Sequence, residues 1–262
     1  VLNPLIYVSS AGANMSSVDL NINQLSYSED SGSQTIIDHI DLAIKETEFI
    51  CIVGPSGCGK TTLLNTIAGL LNSPNATVKF SQADIRLGYI FQEPRLRPWL
   101  TLQQNIELVL PQSNPQLVKQ VLKQVGLLAY SQHYPNALSG GMLRRASIAR
   151  AFVIQPQLLL LDEPFVSLDS PTAMKCRALL LNMAKQHQTT MVFVTHDVNE
   201  ALYMADRIVF LSNSPSTIIH ELVLNRSAQQ HSGDYESQHQ QALKSALFSQ
   251  HPKILEGTLA TS

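Results

Sequence analysis

One short stretch, residues 50–62, limits the possible folds of this chain more than any other. It reads I-C-I-V-G-P-S-G-C-G-K-T-T, an apolar run followed by the pattern G-x-x-x-x-G-K-[ST]. The apolar run predicts a buried strand, and the apolar residues at helical spacing from Leu63 to Leu71 predict a helix. A glycine-rich turn between a buried strand and a helix start is typical of a phosphate-binding loop, and the alternative is a chance glycine-rich turn.

The residue types of this loop, residues 54–61 and hereafter the P-loop, suit a nucleotide. Glycines allow successive N–H groups to curl around phosphates, and the positive end of the following helix points at the same phosphates. We expect Lys60 to reach the outer phosphates and the Thr61 hydroxyl to bind Mg²⁺. The candidate nucleotide-binding residues here are Gly54, Pro55, Ser56, Gly57, Cys58, Gly59, Lys60, Thr61 and Thr62.

Composition argues against several other classes of function. A net charge of −2 over 262 residues gives no general attraction to nucleic acid or to anionic lipid. No apolar run approaches the roughly 20 residues that span a bilayer. Cys51 falls in the buried strand and Cys58 in the P-loop, and neither position suggests a disulfide. We therefore expect a soluble, cytoplasmic protein that does not bind nucleic acid.

Apolar periodicity predicts an α/β protein with a parallel-sheet core. Alternating residues around 18–22 and 40–44 predict two strands joined by a turn-rich link at 28–33, which would form an antiparallel layer. Residues 93–155 read as an all-helical insert, with Thr101 and Asn114 as helix N-caps. Further apolar strands alternate with helices; the strands are at 158–161, 191–194 and 208–211, and the helices at 169–186 and 197–205.

A second motif, Asp162-Glu163, directly follows the apolar strand 158–161. A carboxylate at a strand end beside a phosphate site suits Mg²⁺, so Asp162 is expected to hold the ion through water. Glu163 is expected to polarise the attacking water. The alternative is an ordinary polar strand end, which the P-loop earlier in the chain disfavours.

A third motif, L-S-G-G-M at residues 138–142, precedes a helix that carries Arg144, Arg145 and Arg150. A helix start with small residues and a serine hydroxyl is a second anion site. One phosphate chain cannot use both sites of one chain if they lie on different subdomains. The simplest geometry is a two-fold dimer in which each signature, residues 138–142, covers the ATP of its partner; the alternative is a glycine-rich helix cap. The arginines are expected to be solvated or to pair with acids.

In this order the motifs resemble those of the ATP-binding subunits of ABC transporters. The resemblance covers residues 18–212 and includes Gln92, the turn 167–169 and His196. It implies a P-loop NTPase with a parallel-sheet core, an antiparallel β layer and an inserted helical subdomain at about 93–155. Residues 1–17, which lack a periodic pattern, are expected to form a loose tail, and residues 213–262 a polar extension. Met15, before the first periodic segment, is expected to be the native start.

The resemblance also implies roles for individual residues. Gln92 would contact Mg²⁺ and the attacking water and sense the membrane subunit. Ser139 and Gly141 would touch the γ-phosphate of the ATP bound to the other subunit, with Gly140 between them. His196 would hold the γ-phosphate and the water.

Further assignments complete the implied site. Asp169 would tie the two subunits together, and Tyr27 falls where the family stacks an aromatic ring on adenine. The residues expected to act in catalysis are Glu163, His196, Gln92 and Lys60, and those expected to hold the metal are Thr61, Gln92 and Asp162.

Met142 stands where the commonest signature has Gln. Together with residues 92–101, it resembles the importers of nitrate, taurine, aliphatic sulfonates, bicarbonate and thiamine-precursor pyrimidines. Arg97 departs from this subgroup, where an apolar residue is commoner. Trp99 is expected on the surface that receives a coupling helix of the membrane subunit, and the alternative is packing within the helical insert.

The resemblance thus implies the ATP-hydrolysing subunit of an importer, peripheral on the cytoplasmic face of the cell membrane. It would use ATP and Mg²⁺, work as a homodimer or pseudo-dimer, and act on integral-membrane permease subunits and indirectly on a solute-binding protein. Two alternatives are a non-transport ABC-type ATPase and a module that binds nucleotide without turnover. Long coiled-coil inserts or paired ATPase domains, typical of the first, are not visible. Intact Lys60, Asp162, Glu163 and His196 argue against the second.

Overall fold

The computed structural model describes residues 6–8, 16–29, 32–82, 84–224 and 234–258. These residues divide into two compact units. The first unit holds residues 6–8 and 84–191, and the second holds residues 16–82 and 192–258. Met15, the expected native start, lies outside the described residues.

Both units contain strands and helices. The strands are β1 (Ile6–Val8), β2 (Ser16–Ile22), β3 (Leu25–Glu29), β4 (Gly32–Lys45), β5 (Phe49–Val53), β6 (Ala76–Phe80), β7 (Ile85–Ile90), β8 (Leu158–Asp162), β9 (Thr190–Thr195), β10 (Arg207–Leu211) and β11 (Ser216–Val223). The α-helices are α1 (Lys60–Ile67), α2 (Leu102–Glu107), α3 (Pro115–Gln124), α4 (Gly140–Phe152), α5 (Ser170–His187), α6 (Val198–Met204) and α7 (Asp234–Gln250). Short 3₁₀ turns lie at Leu128–Tyr130, Pro135–Ala137 and Ile254–Glu256.

In the second unit the strand order is β5-β10-β11-β4-β2-β6, with β3 also paired to β4. β10 runs parallel to β5, so Ile208 lies opposite Cys51. Every residue of β5 is buried, as expected of a parallel strand covered on both faces. β2 pairs antiparallel with both β4 and β6, and its alternating apolar residues are buried. The predicted parallel core and antiparallel layer are therefore both confirmed.

In the first unit β7 runs parallel to β8 and antiparallel to β1. The predicted helical insert contains α2, α3 and α4. Thr101 caps α2 in a full capping box, in which its hydroxyl accepts from Gln104 N and the Gln104 side chain accepts from Thr101 N. The Asn114 side chain caps α3, which starts at Pro115. Both predicted N-caps are confirmed. The division between the two units falls within β9.

Two local predictions are wrong. The link predicted at 28–33 is shorter, because Ser28 pairs with Ser33 and Glu29 with Gly32 across the β3–β4 hairpin. The helix after the P-loop ends at Ile67, although apolar residues continue beyond it; Gly69, at φ 68°, turns the chain away.

Within residues 213–262, predicted as a polar extension, the described part contains β11 and α7, both in the second unit. β11 pairs antiparallel with β10 and parallel with β4, so it bridges two strands of the core sheet. Among the described residues, no helix has both the length and the hydropathy to cross a membrane.

Candidate nucleotide site

In the second unit, the P-loop joins the end of β5 to the start of α1. Gly59 is the N-cap of α1 at φ 99°, and a Cβ built on it would lie 2.7 Å from Ile36 Cγ2. Both the backbone angle and the space therefore require glycine. A glycine N-cap has no side chain to accept from the first helical N–H groups, which stay available to an anion.

Lys60 holds its charge inside this loop. Its Nζ donates to Gly54 O and Pro55 O, each at 2.8 Å, and the residue is buried. Pro55 O also accepts from Cys58 N at 3.3 Å. A cation fixed among the carbonyls of the loop is already placed for a phosphate group, which would replace those carbonyls as its acceptor.

Cys58, in the same loop, has a buried thiol. Burial raises the pKa of its thiol, and the nearby Lys60 charge opposes that shift only in part. A Cβ built on Gly54 would lie 2.8 Å from Cys58 Sγ, so the thiol fills the space that Gly54 leaves. The thiol therefore acts as a neutral packing group at neutral pH.

His196, also in the second unit, lies between β9 and α6 with an exposed side chain. Thr195 Oγ1 donates to the buried Glu200 carboxylate at 3.0 Å and accepts from Asp197 N at 3.0 Å. Asp197 in turn caps α6 by accepting from Asn199 N at 2.8 Å. These bonds fix the backbone on both sides of His196 and present its ring at the surface.

In the first unit, Asp162 and Glu163 lie at the end of β8, as predicted. Asp162 is buried, and burial followed by the Asp162 charge raises the pKa of the Tyr89 hydroxyl. Glu163 has φ 41°, a backbone angle uncommon outside glycine. The backbone of the chain therefore leaves the extended line of β8 at Glu163.

The glutamine loop, residues 91–101, carries an exposed Gln92 as its second residue. The arginines of α4 hold it: Arg144 donates to the carbonyls of Phe91, at 2.7 Å, and of Gln92. Arg150 donates at 2.8 Å to the carbonyls of Pro94 and Arg95. The expectation that the arginines of this helix are solvated or paired with acids is wrong for both, since their partners are backbone carbonyls.

The electrostatics of the two arginines reflect this environment. Burial lowers the pKa of Arg144 to about 10. Burial also lowers the pKa of Arg150 to about 10, with smaller contributions from the charges of Arg97 and Arg95. Each guanidinium remains the cation at neutral pH, where a charged donor binds a carbonyl more strongly than a neutral one.

The signature begins α4, and Ser139 is its N-cap, with Oγ accepting from Met142 N at 3.3 Å. Its two glycines differ in their surroundings. A Cβ built on Gly140 would meet no atom within 4 Å, whereas one built on Gly141 would lie 2.5 Å from Thr172 Cγ2. Thus, among the described residues, the surface above Ser139 and Gly140 is open, and Gly141 is packed against α5.

Asp169 is the N-cap of α5 and accepts from Thr172 N at 3.0 Å. Hydrogen bonds from Thr172 lower the pKa of this fully exposed carboxyl. The same Thr172 packs on Gly141, so the turn at Asp169 and the signature are directly connected.

Trp99 is 67% exposed, so it is not packed within the helical insert. The buried Asn105 side chain holds this part of the loop, since its Nδ2 donates to Leu100 O at 3.0 Å and its Oδ1 accepts from Arg97 N at 2.6 Å.

Tyr27 pairs with Gln34 through the backbone, but its side chain lies outside the described residues.

The structure thus places the candidate residues in two sets. The P-loop and His196 belong to the second unit, and the glutamine loop, signature, Asp162, Glu163 and Asp169 belong to the first. Sequence reasoning missed the supporting residues Arg144, Arg150, Asn105, Thr172 and Thr195. Only Thr195 had a visible signal, its position next to His196 at a strand end. Among the described residues no group of three or more His, Cys, Asp or Glu side chains could hold a metal by itself.

Comparison with known proteins identifies the family of this chain. The family described as ABC transporter matches residues 37–166. Aliphatic sulfonates import ATP-binding protein SsuB 2 of Pseudomonas syringae pv. tomato is 44% identical over 189 residues, which cover 72% of this chain and 81% of that protein. SsuB of Bacillus subtilis is 39% identical over 214 residues, covering 79% of this chain and 84% of that protein.

A solved structure is similar as well. It is a dimeric ATP-binding cassette in a post-hydrolysis state, bound to ADP and Pi, with a TM-score of 0.71 and 30% sequence identity. The match covers 80% of this chain and 100% of that one. The chain therefore belongs to the ABC transporter family, as one of its ATP-binding, ATP-hydrolysing proteins.

Proposed function

We propose that this chain is the ATPase subunit of an importer and that it works as a dimer. Each ATP would lie between the P-loop of one subunit and the signature of the other. The observation that carries this proposal is the open surface at Ser139 and Gly140 on the start of α4. A helix start with exposed N–H groups attracts phosphate, and a second subunit would bring one there. A similar cassette was solved as a dimer.

Within such a site each side chain has a distinct task. Lys60 exchanges its loop carbonyls for the outer phosphates of ATP, and the N–H groups at the start of α1 bind the same oxygens. Glu163 orients a water molecule for in-line attack on the γ-phosphate and accepts its proton. His196 and the partner's signature offset the charge that develops on the phosphoryl oxygens.

The donor set fits Mg²⁺. The Thr61 hydroxyl, the Gln92 amide and the Asp162 carboxylate are oxygen donors of the kind that Mg²⁺ prefers. When bound, Mg²⁺ neutralises phosphate charge. Asp162 is suited to this task, because it is a buried carboxylate at a strand end. Because Gln92 belongs to the glutamine loop, a movement of that loop would move one of the ligands of the ion.

The glutamine loop would also transmit the motion of the subunit. Trp99 is exposed on it and offers an aromatic anchor for the cytoplasmic face of a permease subunit carried on another chain. The chain would then lie on the cytoplasmic side of the membrane. Relatives named as aliphatic sulfonate import proteins support an importer of that solute class, supplied by a solute-binding protein.

Replacement of Glu163 by Gln tests the ATPase assignment. The amide cannot take the proton of the attacking water, so we expect ATP hydrolysis to fall by about 10²- to 10⁴-fold while ATP binding persists. Phosphate release and ATP-dependent dimerisation by gel filtration would be measured together. The exposed Glu46→Gln carries the same chemical change as a control. Near-normal turnover in Glu163→Gln would reject Glu163 as the base.

The importer assignment needs a different experiment. Affinity purification of the chain from its native membrane should recover a permease subunit, and Trp99→Ala should reduce that recovery while leaving ATPase activity of the isolated chain unchanged. Recovery of a nucleic-acid repair or translation assembly instead would favour a non-transport ATPase.

A further inference from the structure

The segment after α7 returns to the P-loop within the second unit. Gly257 lies at φ 74° and is buried. A Cβ built on it would lie 2.9 Å from Pro55 Cγ and 2.5 Å from Asn213 N. The backbone of Gly257 is therefore in direct contact with the first residue after Gly54 of the P-loop.

Further contacts anchor this C-terminal segment, residues 241–258, ahead of Gly257 in the chain. Asn213, just after β10, donates from Nδ2 to Glu256 O at 2.6 Å. Leu247 and Ile254 are buried, which attaches the segment to the unit by apolar packing. The rings of His251 and His220 lie 4.5 Å apart, so the segment also packs on β11.

A separate contact reaches the region of His196. Lys244 Nζ donates to Asn199 Oδ1 at 2.8 Å. Asn199 is the residue whose N–H and side-chain amide both donate to Asp197, the N-cap of α6. The C-terminal segment therefore touches the P-loop at one end and, at the other, the helix start that follows His196.

Pro55 matters because of what its carbonyl holds. That carbonyl accepts from Lys60 Nζ at 2.8 Å and from Cys58 N at 3.3 Å. A displacement of the Pro55 ring would move the acceptor that positions the Lys60 ammonium. Hydrogen bonds weaken as their geometry worsens, so a displaced ammonium would bind the phosphates of ATP less strongly.

We propose that the C-terminal segment is a positioning element of the nucleotide site, in which Gly257 supports Pro55 and thereby the P-loop. This inference rests on the proposed nucleotide site. Gly257 does not touch the nucleotide; it acts through Pro55. The segment, absent from the motifs that define the family, is then part of what sets the affinity of this chain for ATP.

The test is Gly257→Ala in the full chain. The added methyl has no space and the backbone angle is unfavourable for alanine, so the segment must shift away from Pro55. We expect KM for ATP to rise on the order of five- to tenfold, with kcat at saturating ATP unchanged, because ground-state binding alone is weakened.

Gly126→Ala is the matched control. Gly126 has φ 68° and lies in the first unit, where the nearest atom to an added Cβ would be Arg145 Nη1 at 3.3 Å. It imposes similar backbone strain without contact to the P-loop, so its KM for ATP should stay at the wild-type value. An unchanged KM in Gly257→Ala, or an equal rise in both variants, would overturn the proposal.

Asn213→Ala serves if Gly257→Ala does not fold. It removes the side-chain donor to Glu256 O but adds no atom, and we expect KM to rise about twofold; no rise would overturn the proposal. Lys60→Ala separates the two levels of inference. If Lys60→Ala leaves the ATP affinity unchanged, the assignment of the nucleotide site is wrong. If Lys60→Ala weakens ATP binding but Gly257→Ala and Asn213→Ala do not, the nucleotide site stands and the positioning role is wrong.

Discussion

The P-loop and the glutamine loop both follow a buried strand, yet they are held in place by opposite means. The P-loop is held mainly from within, because Lys60 bonds to carbonyls that lie only five and six residues earlier. The glutamine loop is held from outside, by arginines of α4 whose carbonyl partners lie 52 to 56 residues away in the chain.

The two loops therefore differ in how far their structure depends on distant residues. A loop that is held mainly by its own residues can be identified from a short sequence window. A loop that is held by a distant helix moves whenever that helix moves. The second arrangement suits a segment that transmits motion, since α4 also begins with the signature, the surface proposed to meet the partner's ATP.

The largest effect on ATP affinity is expected at Lys60 of the P-loop. Lys60→Ala removes the cation and leaves the carbonyls of Gly54 and Pro55 without this donor. We expect ATP affinity to fall about 10- to 100-fold, as befits the loss of a charge-assisted contact to phosphate. Isothermal titration with ATP and Mg²⁺ would measure it.

Lys79→Ala, an exposed lysine on β6, is the control for that change in charge. If both variants bind ATP like the wild type, the P-loop assignment fails and the comparison between the two loops loses its basis.

Arg144→Ala should break the external support of the glutamine loop. The carbonyls of Phe91 and Gln92 lose their donor, so we expect the free energy of unfolding to fall by about 2 kcal/mol. Turnover should fall as well, since Gln92 is no longer held. Denaturant titration and phosphate release would be measured on the same sample.

Arg145→Ala is a useful contrast on the same helix. Arg145 donates to Val125 O at 2.9 Å, outside the glutamine loop, so its loss should reduce stability while kcat stays near the wild-type value. Equal losses of kcat in both variants would show that α4 as a whole, rather than the bonds to the loop, determines turnover.

Arg150→Lys should produce a smaller change. A lysine ammonium can replace the charge but not both arms of the guanidinium, which bind the carbonyls of Pro94 and Arg95. We expect a loss of about 1 kcal/mol in the free energy of unfolding. A full loss of activity would mean that Arg150 does more than hold the loop.

The smallest expected effect is on the pH dependence of stability, through His220, whose ring packs on His251 of the C-terminal segment. Burial, and then the charge of His251, lower the pKa of His220, while Glu221 opposes the shift. Because the folded state binds the proton less readily than the unfolded chain, stability should fall as the pH drops below the ordinary value of 6.5. Denaturant titrations between about pH 8 and about pH 5.5 would measure it.

His220→Gln should reduce that dependence on pH, because the group that gains a proton on unfolding is gone. A pH dependence identical to that of the wild type would assign it to other groups, such as His187, whose pKa burial also lowers.

The same contrast explains what could be predicted from the sequence. The β5 strand, the P-loop and the start of α1 are determined by adjacent residues, as are the caps at Thr101 and Asn114. Their prediction was confirmed because local chemistry is sufficient to form them.

The missed features all depend on distant parts of the chain. β11 follows a stretch of Ser, Asn and Pro residues; it pairs with the neighbouring β10, but its other partner, β4, lies far earlier in the sequence. The sequence of α4 does not distinguish the buried Arg144 from a solvated arginine, because the burial of Arg144 depends on where residues 91 and 92 lie. Likewise, no local sequence pattern predicts that Gly257 lies next to Pro55.

The two neighbouring glycines of the signature have a consequence for heredity. A Gly140→Ala subunit has room for its methyl group and should fold, so in the proposed dimer it would enter assemblies and spoil its partner's site. With equal expression of both forms, about three quarters of random dimers would carry at least one such subunit. A Gly141→Ala subunit meets Thr172 instead, and a chain that folds poorly is degraded before it can pair. Adjacent codons would thus produce a dominant allele and a recessive one.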